Sequence, residues 1–101
     1  MKSIKLKWYS DASHGWLAVK RDLLKTLGVI QHITTCSYER GKTVYLEEDC
    51  DARKFIDALN KNNINFLGSE KYVGNRAAIR SYERFELKES DLCQTKTNGK
   101  K

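Results

Sequence analysis

The segment Ile4-Lys5-Leu6-Lys7-Trp8-Tyr9 alternates apolar and polar or amphipathic residues without a slip. A period of two puts Ile4, Leu6 and Trp8 on one face of a strand, and Lys5, Lys7 and Tyr9 on the other. Such a strand needs a sheet with one covered face. The cover is written further along. Ala52, Phe55, Ile56 and Leu59 fall at i, i+3, i+4 and i+7, the spacing of a helix laid on a sheet. A chain of 101 residues has room for one such domain.

The remaining elements are read from the same two periods. Thr43-Val44-Tyr45-Leu46-Glu47 is a strand with Val44 and Leu46 inward. It returns from a hairpin turn at Glu39-Arg40-Gly41-Lys42, where Gly41 is free to take positive φ. Ile30–Tyr38, rich in β-branched residues, reads as the partner strand. Trp16, Val19, Leu23 and Leu27 fit a helix ending at Gly28 as its C′ residue. An extended Trp16–Val19, with the helix starting near Lys20, fits as well. Asp11 or Ser13 suits a helix cap there, and Asp49 and Asp51 suit the start of the second helix. Ile64–Leu67 opens a strand towards Tyr72 with a break at Gly68. Residues 75–86 fit a helix through Ala78, Ile79, Tyr82 and Phe85, and a strand through Arg80, Tyr82 and Arg84. The order predicts an α+β domain over residues 1–87 on the ferredoxin-like split βαβ plan. Residues 88–101 lack periodicity and read as a flexible basic tail.

The formal net charge is +6, and most of the excess lies within residues 1–87. A folded domain with that balance attracts anions. A domain this small has little room for an internal reaction cavity, which argues against an enzyme. The glycines form no phosphate-loop or dinucleotide pattern, and no cofactor is expected. The three cysteines, Cys36, Cys50 and Cys93, are odd in number and have no C-x-x-C spacing. That argues against a disulfide framework or zinc ribbon and for free thiols in a reducing compartment. No apolar run has the length of a signal peptide core or a membrane span, so a cytoplasmic protein without a membrane partner is expected.

Two stretches, Tyr9-Ser10-Asp11-Ala12-Ser13-His14-Gly15-Trp16 and Val44-Tyr45-Leu46-Glu47-Glu48-Asp49-Cys50-Asp51, carry a likeness, together with Arg40-Gly41 and Ile79-Arg80. The chain resembles small proteins of unassigned function found in phages and bacterial genomes. The resemblance covers most of residues 4–85. It implies a phage or bacterial cytosolic setting and transfers no catalytic residue.

Three constellations could carry function. Lys5, Lys7, Tyr9, Tyr38, Arg40, Lys42 and Tyr45 would share or border one sheet face, where cations meet phosphates and aromatic rings meet bases. The plain alternative is a solvated lysine face with tyrosines packed across strands. Arg76, Arg80 and Arg84 would line one helix face and grip phosphate or carboxylate, although Glu83 and Glu86 nearby make internal pairing the simpler reading. The acidic run Glu47, Glu48, Asp49 and Asp51, with Asp11 and His14, is the only set resembling metal ligands, and helix capping accounts for two of its members. His14 with Cys36 lacks any nucleophile motif. The expectation is a non-enzymatic binding protein for an anionic partner, most concretely nucleic acid. The alternative is a protein-binding inhibitor or regulator of a host process, for which a dimer is compatible. A small metal-dependent nuclease comes third.

Overall fold

The computed structural model describes residues 2–96. Over these residues the chain is an α+β domain, with one mixed six-stranded sheet and three α-helices. Strand β1 (Lys2–Ser10) turns back into β2 (Gly15–Lys20), and helix α1 (Arg21–Thr26) follows at once. A 3₁₀ turn at Ile30–His32 leads to β3 (Tyr38–Arg40) and β4 (Thr43–Glu47). Helix α2 (Ala52–Lys61) then crosses to β5 (Ile64–Tyr72). A second 3₁₀ turn (Ala78–Ser81), the short β6 (Glu83–Arg84) and α3 (Glu89–Lys96) complete the described chain. The strand order is β5-β1-β2-β4-β3-β6. β5 lies parallel to β1, and every other pairing is antiparallel.

This connectivity departs from the ferredoxin-like plan, in which a helix separates the first two strands. Here β1 and β2 form a hairpin, because Trp16–Val19 is strand. Trp16 is buried on one sheet face while Leu17 and Val19 are buried on the other. A strand buried on both faces loses its alternation and imitates a helical stripe. Asp11 is likewise not a helix cap. Its Oδ1 accepts the Ser13 and His14 amides, each at 3.0 Å, and so closes the hairpin turn.

The helix-facing side of the sheet carries Leu6, Leu17, Val19, Val44 and Leu46, with Ile4 and Trp8 partly covered. Against them pack Leu24 of α1 and Ala52, Phe55, Ala58 and Leu59 of α2. Complete burial of Phe55 alone is worth about 2–3 kcal/mol. The predicted α2 spacing and the β3–β4 hairpin are both present, and Gly41 has φ +61° at the turn. Gly28, at φ +75°, terminates α1 as expected of a C′ glycine. β5 runs through Gly68 without a break.

Residues 30–37 are not the expected strand. Val29, Ile30 and Ile33 turn into the main core, and a buried carboxylate holds the polar residues behind them. Asp51 Oδ2 accepts Thr34 N and Thr34 Oγ1, both at 3.0 Å, and Ser37 Oγ at 2.6 Å. These bonds replace a strand ladder. Asp51 therefore begins α2 without capping it; its side chain faces the loop, paired with Lys54 Nζ at 3.0 Å. Burial pushes its pKa up, and the donors from Ser37, Thr34 and Lys54 outweigh burial and set it below the ordinary value.

The expected flexible tail is anchored at its start. Asp91, only 2% exposed, accepts Arg21 Nε at 2.9 Å and Arg21 Nη2 at 2.7 Å. The same guanidinium pairs with Glu39 and donates to Glu86 O at 2.7 Å. Residues 97–101 of the expected tail lie outside the described residues.

Candidate functional site

The sheet face away from α1 and α2 divides into a covered half and an open half. The covered half holds Tyr9, Trp16, Tyr38 and Tyr45, beneath a segment that brings Val73, Ala77, Ile79 and Tyr82 across them. The rings pack at tilted angles: Tyr9 and Tyr45 centroids are 6.2 Å apart, and Tyr45 and Tyr82 are 5.2 Å apart. Burial, then the neighbouring Tyr82 and Tyr9 hydroxyls, push the Tyr45 pKa up.

Asp11 fastens this cover. Its Oδ2 accepts Ala77 N at 2.8 Å and Arg80 Nε at 2.6 Å, and its Oδ1 accepts Arg80 Nη2 at 3.0 Å. With the Ser13 and His14 amides, every one of these donors favours the carboxylate, Arg80 most of all. They hold the Asp11 pKa far below the ordinary range against the opposing cost of burial. Arg80 also lies over the Trp16 ring at 5.4 Å, Arg84 over Tyr38 at 4.6 Å and Arg40 over Tyr82 at 4.9 Å.

The open half is basic. Alternation from buried Leu6 and Val19 puts Lys5, Lys7 and Lys20 on this face, with Arg40 beside Thr43 in the neighbouring pairs. Lys5, Lys7, Lys20, Arg40 and Lys42 are all exposed. Among the described residues none of them has a carboxylate within ion-pair distance. The most buried acids are matched elsewhere: Asp11 with Arg80, Glu39 with Arg21 and Lys88, Asp51 with Lys54, Asp91 with Arg21. These acids are matched by other cations, Arg80, Arg21, Lys88 and Lys54, and the exposed cations at the open end of the sheet form a patch of one sign.

The predicted site residues therefore separate. Lys5, Lys7, Arg40 and Lys42 gather at or beside the open half. Tyr9, Tyr38 and Tyr45 are partly buried in the covered half, so their rings mainly support the cover. Arg76, Arg80 and Arg84 do not share a helix face, because residues 78–81 form a single 3₁₀ turn and 83–84 a strand. Arg80 is committed to Asp11, and Arg84 Nη1 donates to Thr35 O at 3.0 Å. Arg76 and Arg84 are both exposed without an ion-pair partner among the described residues, but Arg84 is held against Thr35 O and the Tyr38 ring. Lys20 was not among the expected residues. Its place is readable once 15–20 is recognised as a strand, since it then follows the parity of Lys5 and Lys7.

A separate groove of about 430 Å³ is lined by His14, Trp16, Cys36, Tyr38, Glu47, Asp49, Arg80 and Arg84. Arg80 Nη2 meets His14 Nδ1 at 2.9 Å. A guanidinium can only donate, so His14 Nδ1 accepts in this contact, and Nε2 lies 4.0 Å from Glu47 Oε2. Asp11 and Asp51 belong to two different hydrogen-bond networks. Among the described residues no three His, Cys, Asp or Glu side chains converge as metal ligands. No described helix is long and apolar enough to cross a membrane.

No protein-family model, curated protein or solved structure matches the chain. Its functional reading is carried by its own geometry.

Proposed function

We propose that the chain is a non-enzymatic binding protein that holds nucleic acid against the open, basic half of its sheet, in a phage or bacterial cytoplasm. Lys5, Lys7 and Lys20 supply the phosphate contacts, with Arg40 and Lys42 at the hairpin edge. The observation that carries the reading is the lack of carboxylate partners around these exposed cations, next to a fold that pairs its most buried acids internally. Cations left unmatched on one rigid surface release counterions from a polyanion when they bind it. The tyrosine cluster stiffens the adjoining half and fixes the surface on which the lysines stand.

The test is fluorescence anisotropy with labelled single- and double-stranded oligonucleotides. Binding at low salt should weaken as salt rises, with a log–log slope of about −4.5 on duplex and about −3.5 on single strands if all five cations contact phosphate. The triple variant Lys5→Glu, Lys7→Glu, Lys20→Glu should lose it. Absence of binding to any nucleic acid at low salt overturns the proposal. A nuclease-resistant protein partner in a pull-down would then favour the regulator reading.

A further inference from the structure

We propose that Cys36 and Cys50 form a thiol–disulfide exchange site, with Cys36 as the attacking thiol and Cys50 as the resolving one. Nothing in the nucleic-acid reading uses either residue. The two sit fourteen residues apart in sequence, and the backbone of one and the thiol of the other share the Thr34 hydroxyl. Thr34 Oγ1 accepts the Cys36 amide at 3.1 Å and lies 3.5 Å from Cys50 Sγ. Buried Asp51 fixes Thr34 through its amide and its hydroxyl, so the loop carrying Cys36 is held against the turn carrying Cys50.

The environments of the two thiols differ in the way an exchange pair requires. Cys36 is exposed and lines the groove that also contains Arg80 and Arg84. Arg80 is already paired with Asp11, and Glu47 and Asp49 share the lining, so the groove gives a small disulfide access to Cys36 without a dedicated charge receptor. Cys50 is half-buried, and the neighbouring Cys36 thiol pushes its pKa up, ahead of a smaller contribution from burial. The difference in exposure sets the order: a small disulfide reaches the exposed Cys36 first, and the half-buried Cys50 resolves.

The chemistry balances with a small disulfide, R–S–S–R, as oxidant. The Cys36 thiolate attacks one sulfur, Cys36–S–S–R forms, and RS⁻ leaves to become RSH. The Cys50 thiolate attacks Cys36 Sγ and expels the second RS⁻, which also takes a proton. The cysteines lose two electrons and two protons in all, and the small disulfide becomes two thiols. The product would bolt the 34–37 loop to the β4–α2 turn and remove a thiol from the groove.

The experiment uses the full chain carrying Cys93→Ser, with oxidised glutathione as the probe, acid quenching, intact mass and peptide mapping. The expected product is a Cys36–Cys50 cross-linked peptide, lighter by two hydrogens, with no lasting glutathione adduct. Adding Cys50→Ser should trap glutathione on Cys36. Adding Cys36→Ser should slow the reaction by at least about ten-fold. Circular dichroism of each variant separates a lost thiol from a lost fold. A lasting adduct on Cys36 while Cys50 is present, or no reaction at Cys36, overturns the proposal.

Discussion

Arg80 closes on both carboxylate oxygens of Asp11, at 2.6 and 3.0 Å, across most of the length of the chain. One ion pair thereby joins the β1–β2 turn to the segment that covers the aromatic half of the sheet. Asp11→Ala should release that cover while leaving the helix-packed core intact. Hydrogen exchange is expected to accelerate at residues 73–82 and to stay slow in α2. Equal acceleration in both would show that the clamp does not act locally.

Arg21 is the corresponding tie on the other side of the molecule. Arg21→Ala would leave Glu39 and Asp91, both nearly buried, without their shared cation. Glu39 keeps Lys88 Nζ at 3.2 Å, but Asp91 loses its two-pronged partner, and breaking a buried pair in this way costs about 3 kcal/mol. A fall in melting temperature of about 10 °C is expected for a domain of this size. Arg21→Lys should recover part of it, since a lysine restores the charge without the two-pronged contact.

Acid should unfold the protein through its carboxylates. Asp11, Asp51 and Asp91 all have pKa values below the ordinary range in the folded chain. Their stabilisation is complete above the unfolded carboxylate value, about 4, and disappears as pH falls through the lower folded values. Denaturant midpoints should be flat with respect to these groups above about pH 5 and fall steadily below it. Asp91→Asn should make the acid limb shallower, and an unchanged limb would remove Asp91 from this account.

Gly41 offers a smaller and cleaner test. Its φ is +61°, and an added Cβ would meet no atom within 4 Å. Gly41→Ala should therefore cost only the left-handed backbone penalty, about 1 kcal/mol. Gly41→Asn should cost less, because asparagine tolerates that region. Chemical denaturation of the two variants measures the difference.

Local patterns in the sequence were reliable wherever one face of an element is buried. The alternation of β1, the Val44/Leu46 strand and the Ala52–Leu59 helix all read correctly for that reason. They misled where burial is two-sided or where a side chain replaces a ladder. Trp16 and Leu17 are buried on opposite faces of β2, which erased its period. Asp51 captured Thr34 and Ser37, turning a β-branched run into a loop. The basic character of the sheet face was legible from Lys5 and Lys7. Its division into an open and a covered half was not, because the cover depends on the Asp11–Arg80 contact, which no local pattern encodes.

The parallel pairing of β1 with β5 sets an order of events for the growing chain. β1, β2, β3 and β4 can pair once about fifty residues exist, but β1 keeps an open edge until α2 and all of β5 have been made. Ile4 and Leu6 then acquire their last neighbours from residues about sixty positions downstream. Closure of the sheet is thus a late, non-local step, and the loop entropy of that join slows folding relative to the hairpins. A chain stopped before Ile64 would expose the long edge of its first strand, a surface open to pairing with another copy.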